Sequence, residues 1–173
     1  MSKQKKIKVI LAVVLFLRLF TPFLIFKQPL LAFVLSQLFD AVDGQLFYNS
    51  GFNWKQYNLV DKLFDQWWYL FILFFLLGKS VSLIPLFLLV YRAVGMLYVL
   101  VTQKEDAYLL FPNILEWFFL VGLISPNLNM SIALTISLVW ALFVEWLIHK
   151  SESRIISKFL FRNEIVWKKD ERK

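Results

Sequence analysis

Residues 29–78 read PLLAFVLSQLFDAVDGQLFYNSGFNWKQYNLVDKLFDQWWYLFILFFLLG. Two apolar runs, 29–48 and 63–78, are joined by a polar connector from Asn49 to Val60. A hydrocarbon layer of about 30 Å asks for roughly twenty apolar residues per helix, so each run reads as a membrane span. Asp40 and Asp43 are three apart near the end of the first run, and Asp61 and Asp65 are four apart where the second begins. Helical residues three or four apart share a face, so each pair presents its carboxylates together. A short connector makes the two helices antiparallel neighbours and brings both pairs to one depth. A charged side chain inside a span costs about 2.5–3.5 kcal/mol at a helix centre, so each asks for a partner. Four converging carboxylates repel one another unless a cation neutralises them. Oxygen-only ligands select a hard ion such as magnesium, manganese or calcium. The plainer reading has these aspartates capping helix ends at the interface.

Outward from this stretch, the chain of 173 residues is 60% hydrophobic and 18% aromatic, above the roughly half apolar content of soluble domains. Six apolar stretches are expected to be helices crossing a membrane: 7–26, 29–48, 63–78, 83–102, 107–124 and 130–149. Polar or helix-breaking residues separate them at Lys27-Gln28-Pro29, Asn49 to Val60, Gly78-Lys79-Ser80, Gln103 to Asp106 and Ser125-Pro126-Asn127. The expectation is an all-α polytopic membrane domain over 1–150 and a basic amphipathic tail over 151–173. The amino-terminal run resembles a signal peptide, but Arg18 interrupts it and no small-residue cleavage site follows, so it reads as a retained span. If both termini lie on one side, fifteen Lys and Arg fall on that side's segments and only Lys27 and Lys79 on the other. The positive-inside rule then places the termini, and the aspartates with them, at the cytoplasmic face of an inner membrane. Basic segments there attract anionic headgroups, and the tail suits a helix lying on the inner leaflet. A net charge of +7 carried outside the spans argues for membrane lipids rather than nucleic acid. Without cysteine, disulfides, thiolate metal sites and cysteine nucleophiles are excluded.

Within this stretch, DAVDGQLFYNSGFNWKQYNLVDKLFD (40–65) resembles the signature of the CDP-alcohol phosphotransferase family, D-x2-D-G-x2-A-R-x8-G-x3-D-x3-D. All four aspartates and Gly44 fall at the family spacing without a gap. Phe47 stands for the alanine, Tyr48 for the arginine and Tyr57 for the second glycine. Arg18 followed by Pro22 is similar to the family's first helix, and Arg92 resembles a frequent family arginine. The six-helix layout is also similar to the family core. The resemblance implies transfer of a phosphoalcohol group from a CDP-linked donor to a hydroxyl acceptor, with release of CMP, in phospholipid biosynthesis. It implies a homodimer and two Mg2+ (or Mn2+) ions ligated by Asp40, Asp43, Asp61 and Asp65. Asp65, one turn deeper, is the implied general base. Gly44, Phe47, Tyr48, Tyr57, Arg18 and Arg92 are the implied substrate contacts. Gly44 would admit a nucleotide close to the second helix, whereas Phe47 and Tyr48 add bulk there and Tyr48 removes a phosphate-binding fork.

Three outcomes stand open at this level: a CDP-alcohol enzyme with a rebuilt pocket, an enzyme using another diphosphate donor, and a non-catalytic metal-binding member. For Arg18 and Arg92, pairing with an internal carboxylate competes with a substrate-phosphate role. Membrane prenyltransferases also bind diphosphates through magnesium, but with motifs far apart in longer chains. A cation transporter would carry its carboxylates along a pathway, not gathered near one face. Glu116 and Glu145 either pair with Arg92 or a lysine, or border an acceptor pocket. His149, the lone histidine, reads as incidental.

Overall fold

The computed structural model describes residues 3–79 and 83–149, and among them every regular element is helical. Helix α1 (Lys3–Phe20) tightens into a 3-10 turn, Thr21–Phe26, where Pro22 has no amide proton to continue the α ladder. Pro29 then opens α2 (Pro29–Asn49), using the first-turn position that needs no amide donor. Gly51 turns the chain with a φ of 82°, in the left-handed region that glycine occupies freely.

Helix α3 (Trp54–Leu77) starts well before the apolar run at 63 because Asn53 and Gln56 form a capping box. The Gln56 amide donates to Asn53 Oδ1 (2.9 Å) and the Asn53 amide donates to Gln56 Oε1 (3.1 Å). Asp61 and Asp65 consequently sit two and three turns inside α3 rather than at its beginning. Helix α4 (Ile84–Thr102) ends where Gln103 turns left-handed, with φ 56°. A short 3-10 turn, Glu105–Leu109, leads to α5 (Ile114–Ile124), and α6 (Met130–His149) follows.

Four segments are long and apolar enough to cross a membrane: Gln4–Phe26, Pro29–Asn49, Ile84–Thr102 and Met130–Leu147. The described residues are therefore all-helical, with four segments whose length and apolar composition suit a membrane protein. Helix α3 has the length but carries Lys55, Asp61, Lys62 and Asp65 in its first half. Helix α5 has 11 residues and is about 16 Å long at 1.5 Å per residue, short of a full crossing. The expected fifth run, 107–124, is broken by Pro112 and the preceding 3-10 turn. The tail expected over 151–173 lies outside the described residues.

Two apolar clusters hold the helices together. In the larger, Phe119 is fully buried and meets Trp68 and Phe75 edge-on, with ring centroids 6.0 and 5.5 Å away. In the smaller, Leu11 of α1 packs with Phe47 of α2, and Leu15, Leu46, Tyr57 and Val60 surround them. This second cluster ties α1 to α2 and α3, the three helices that carry the charged centre.

Candidate metal centre

Helices α2 and α3 run antiparallel, so the two aspartate pairs meet as a square of two levels, and α1 supplies a cation to both. Arg18 is buried, and each terminal nitrogen of its guanidinium serves one level. Nη1 donates to Asp43 Oδ2 and to Asp61 Oδ1 (3.3 Å). Nη2 donates to Asp40 Oδ1 (3.1 Å) and Asp65 Oδ1 (3.3 Å). Of the two roles open to Arg18, this geometry is that of an internal ion pair. The planar fork of arginine, with its several fixed donors, is what allows one side chain to reach four carboxylates.

Lys62 adds a second cation from the side of α3, donating to Asp61 Oδ2 (2.9 Å) and Asp65 Oδ2 (3.3 Å). Counted as fully ionised, four carboxylates against Arg18 and Lys62 carry a formal excess of two negative charges, which one divalent ion would match. One oxygen each from Asp40, Asp61 and Asp65 lies within 4.8 Å of the others, a spacing that fits three ligands of a single hard cation. Asp43 is not in that set. It is fully buried, its Oδ2 accepts from Arg18, and its Oδ1 has no hydrogen-bond partner among the described residues. Asp40 is 48% exposed and gives the cluster its opening to solvent. The donor set, the residual charge and the spacing all fit a divalent ion held by Asp40, Asp61 and Asp65.

The positions expected to frame a nucleotide lie beside this cluster. A Cβ placed on Gly44 would sit 3.1 Å from the Tyr57 hydroxyl, so the close approach that Gly44 permits is taken by the chain's own phenol. Phe47 is buried, with its ring centroid 5.4 Å from Tyr57 and 5.2 Å from Phe52. Tyr48 is exposed on the next position of α2. Gly44, Phe47 and Tyr57 are thus brought together as a packed aromatic wall, with Tyr48 outside it.

Arg92 is not part of the aspartate square. Its Nη1 lies 2.8 Å from Glu145 Oε1 and also donates to the Phe111 carbonyl, joining α4 to α6 and to the segment before α5. Its guanidinium lies over the Tyr108 ring at 4.5 Å, and Lys62 Nζ approaches the same ring at 5.3 Å. Glu145 therefore takes the pairing role left open in the sequence. Glu116 is held by neutral donors rather than by an ion pair: its Oε1 accepts from Gln37 Nε2 (2.6 Å) and Trp68 Nε1 (2.7 Å), and its Oε2 accepts from Asn113 Nδ2. Asn113 Nδ2 also donates to the Tyr69 hydroxyl at 2.8 Å. These neutral donors link α2, α3 and α5 about one turn from the aspartates. Lys62 was legible as a neighbour three residues from Asp65, but nothing in the sequence joins Gln37 and Trp68 to Glu116.

Comparison of the chain with protein families, characterised proteins and solved structures returns no match to any of the three.

Proposed function

We propose that this protein is a metal-dependent phosphotransferase of the membrane, moving a phosphoalcohol group from a CDP-linked donor to a hydroxyl acceptor in phospholipid biosynthesis. The observation that carries this reading is the convergence of the four carboxylates of the D-x2-D-G pattern and its D-x3-D partner around one centre. In this reading all six helices cross or enter the bilayer, both termini and the aspartates face the cytoplasm, and two chains pair as a homodimer. Asp40, Asp61 and Asp65 would hold a divalent cation, which would neutralise charge on the donor's diphosphate. Asp65 accepts the proton of the acceptor hydroxyl. That oxygen bonds to the phosphorus bearing the transferred alcohol, the diphosphate bridge breaks, and CMP leaves with the bridging oxygen. Tyr57, backed by the buried Phe47, would rebuild the base-binding wall with an aromatic ring in place of small residues.

One arrangement favours a second reading, a metal-binding protein of the same architecture without turnover. Tyr57 covers Gly44 where a nucleotide would approach, and no arginine stands at position 48. The two readings separate in one assay. Purified protein is incubated with CDP-diacylglycerol, Mg2+ or Mn2+, and glycerol phosphate, inositol phosphate, serine or a lipid alcohol, and CMP is measured. The transferase reading expects CMP release with at least one acceptor. No release with any acceptor counts against transfer from this donor and favours the non-catalytic reading.

A further inference from the structure

Glu116 is a buried carboxylate outside the aspartate centre, 7% exposed and set in the first turn of α5. The helix dipole at that turn and three N–H donors, from Gln37, Trp68 and Asn113, all favour its charged form. The donors are neutral, and among the described residues Glu116 has no ion-pair partner. Arg18 and Lys62 go to the aspartates and Arg92 goes to Glu145. A charge buried in this way asks for a cation.

Asn113 gives a second, independent indication. It stands at the N-cap of α5, three residues before a glutamate, the pattern of a capping box, yet its side chain makes no cap hydrogen bond. Its amide turns instead to Glu116 and Tyr69, and its Oδ1 is a buried acceptor without a hydrogen-bond partner. Asn113 is itself 9% exposed. Both polar atoms belong to one small amide, so the unpartnered oxygen stands beside the Glu116 carboxylate. A carboxylate next to an amide oxygen suits a group with a positive charge and several N–H donors. Gln37 marks the way in: it is half-buried, whereas Trp68 and Asn113 are buried. Gln37 lies three residues before Asp40, the half-exposed opening of the cluster, and Trp68 lies three residues after Asp65. Glu116 is thus reached about one turn, roughly 5.4 Å, deeper along the same helix faces.

We propose that Glu116 and Asn113 form an ammonium-binding subsite, so that the hydroxyl acceptor is a small amino alcohol. Its ammonium replaces Gln37 as a donor to Glu116 and also donates to Asn113 Oδ1, while its hydroxyl, on the neighbouring carbon, faces Asp65. The protonated amine has no lone pair and is only held. The proposal rests on the transferase reading and chooses among acceptors by charge. Phosphorylated acceptors meet the repulsion of Glu116, and the nearby cations Lys62 and Arg92 are already paired.

The test is calorimetric titration of the full chain, in detergent with Mn2+ at constant ionic strength, with ethanolamine and with ethylene glycol, which carries a hydroxyl in place of the ammonium. Wild type is expected to bind ethanolamine at least roughly tenfold more tightly, the worth of one charged hydrogen bond. E116Q should erase that preference. N113A should weaken ethanolamine several-fold and leave ethylene glycol unchanged. In E116Q the new amide oxygen still accepts from Gln37 and Trp68, and Asn113 can turn its oxygen to the new amide nitrogen, so its Tm should stay near that of wild type. Equal affinity for the two ligands in wild type, or binding of neither, overturns the subsite without recourse to any variant. So does an E116Q protein that keeps the preference. CMP release from CDP-diacylglycerol separates this proposal from the reading beneath it. Release with ethanolamine or serine, and not with glycerol phosphate, supports both. Release with glycerol phosphate or inositol phosphate, and with neither amine, keeps the transferase and overturns the subsite. No release from any acceptor, with ethanolamine still bound through Glu116, counts against the transferase and supports the ammonium subsite.

Discussion

Asp65 faces both Arg18 and Lys62, yet it is the carboxylate assigned to accept a proton, so its replacement separates chemistry from architecture. Asp65→Asn keeps the shape but loses both the base and one of the three cation ligands. CMP release should drop by at least roughly 10²-fold, the low end of a lost general base alone, while the Tm stays near that of wild type. Unchanged turnover would remove Asp65 from that role. A second residue-scale expectation concerns Arg92, buried and opposed by Glu145 at 2.8 Å. Glu145→Gln leaves that guanidinium without its carboxylate and should cost about 3 kcal/mol of stability, read as a lowered Tm in detergent. At this scale the sequence was informative where spacing is local. The intervals of three and four residues placed Asp40 with Asp43 and Asp61 with Asp65 on shared faces. Arg18 was not placeable in the same way. Its four partners lie on two other helices, and its guanidinium reaches them beside the Phe64 ring, 5.2 Å away, a placement that only the tertiary packing sets.

At the scale of elements, two helices begin or end where hydropathy alone does not put them. The Asn53–Gln56 capping box starts α3 among polar residues, so the aspartates stand inside a continuous helix and their spacing is fixed by its hydrogen bonds. Pro112 and the 3-10 turn of Glu105–Leu109 shorten α5 and bring Phe111 back against α4. Gly95 marks that contact, because a Cβ there would overlap the Phe111 side chain. Gly95→Ala should therefore displace the segment before α5 and cost about 1–3 kcal/mol, the usual cost of overpacking. Thermal unfolding measures it. A Tm equal to that of wild type would mean that the segment yields freely. The Asn53–Gln56 box is a local signal that hydropathy passes over, whereas the seating of Phe111 on Gly95 depends on another helix, which is why the boundaries at 63 and 107 differ from those in the fold.

For the whole molecule, the alternation of apolar runs and polar connectors conveyed an all-helical membrane protein, and four segments meet the length and composition of a crossing. The account requires six helices with the aspartates on the side of the termini. The chain has no cysteine, so single introduced cysteines report sidedness without background. Cysteines at Gly51 and Lys104 should react with a membrane-impermeant maleimide only from the cytoplasmic side. Cysteines at Lys27 and Asn127 should react only from the opposite side. Labelling of Gly51 and Lys27 positions from one side would break the arrangement. What unites the three scales is a charged square of aspartates held by three helices, with a residual charge of two and three converging oxygens. Mn2+ binding to the purified wild-type chain and to Asp40→Asn, Asp61→Asn and Asp65→Asn tests that centre most directly. The account predicts saturable binding by the wild type that is strongly weakened in all three variants, whereas no binding by the wild type, or equal binding by all four proteins, would contradict it.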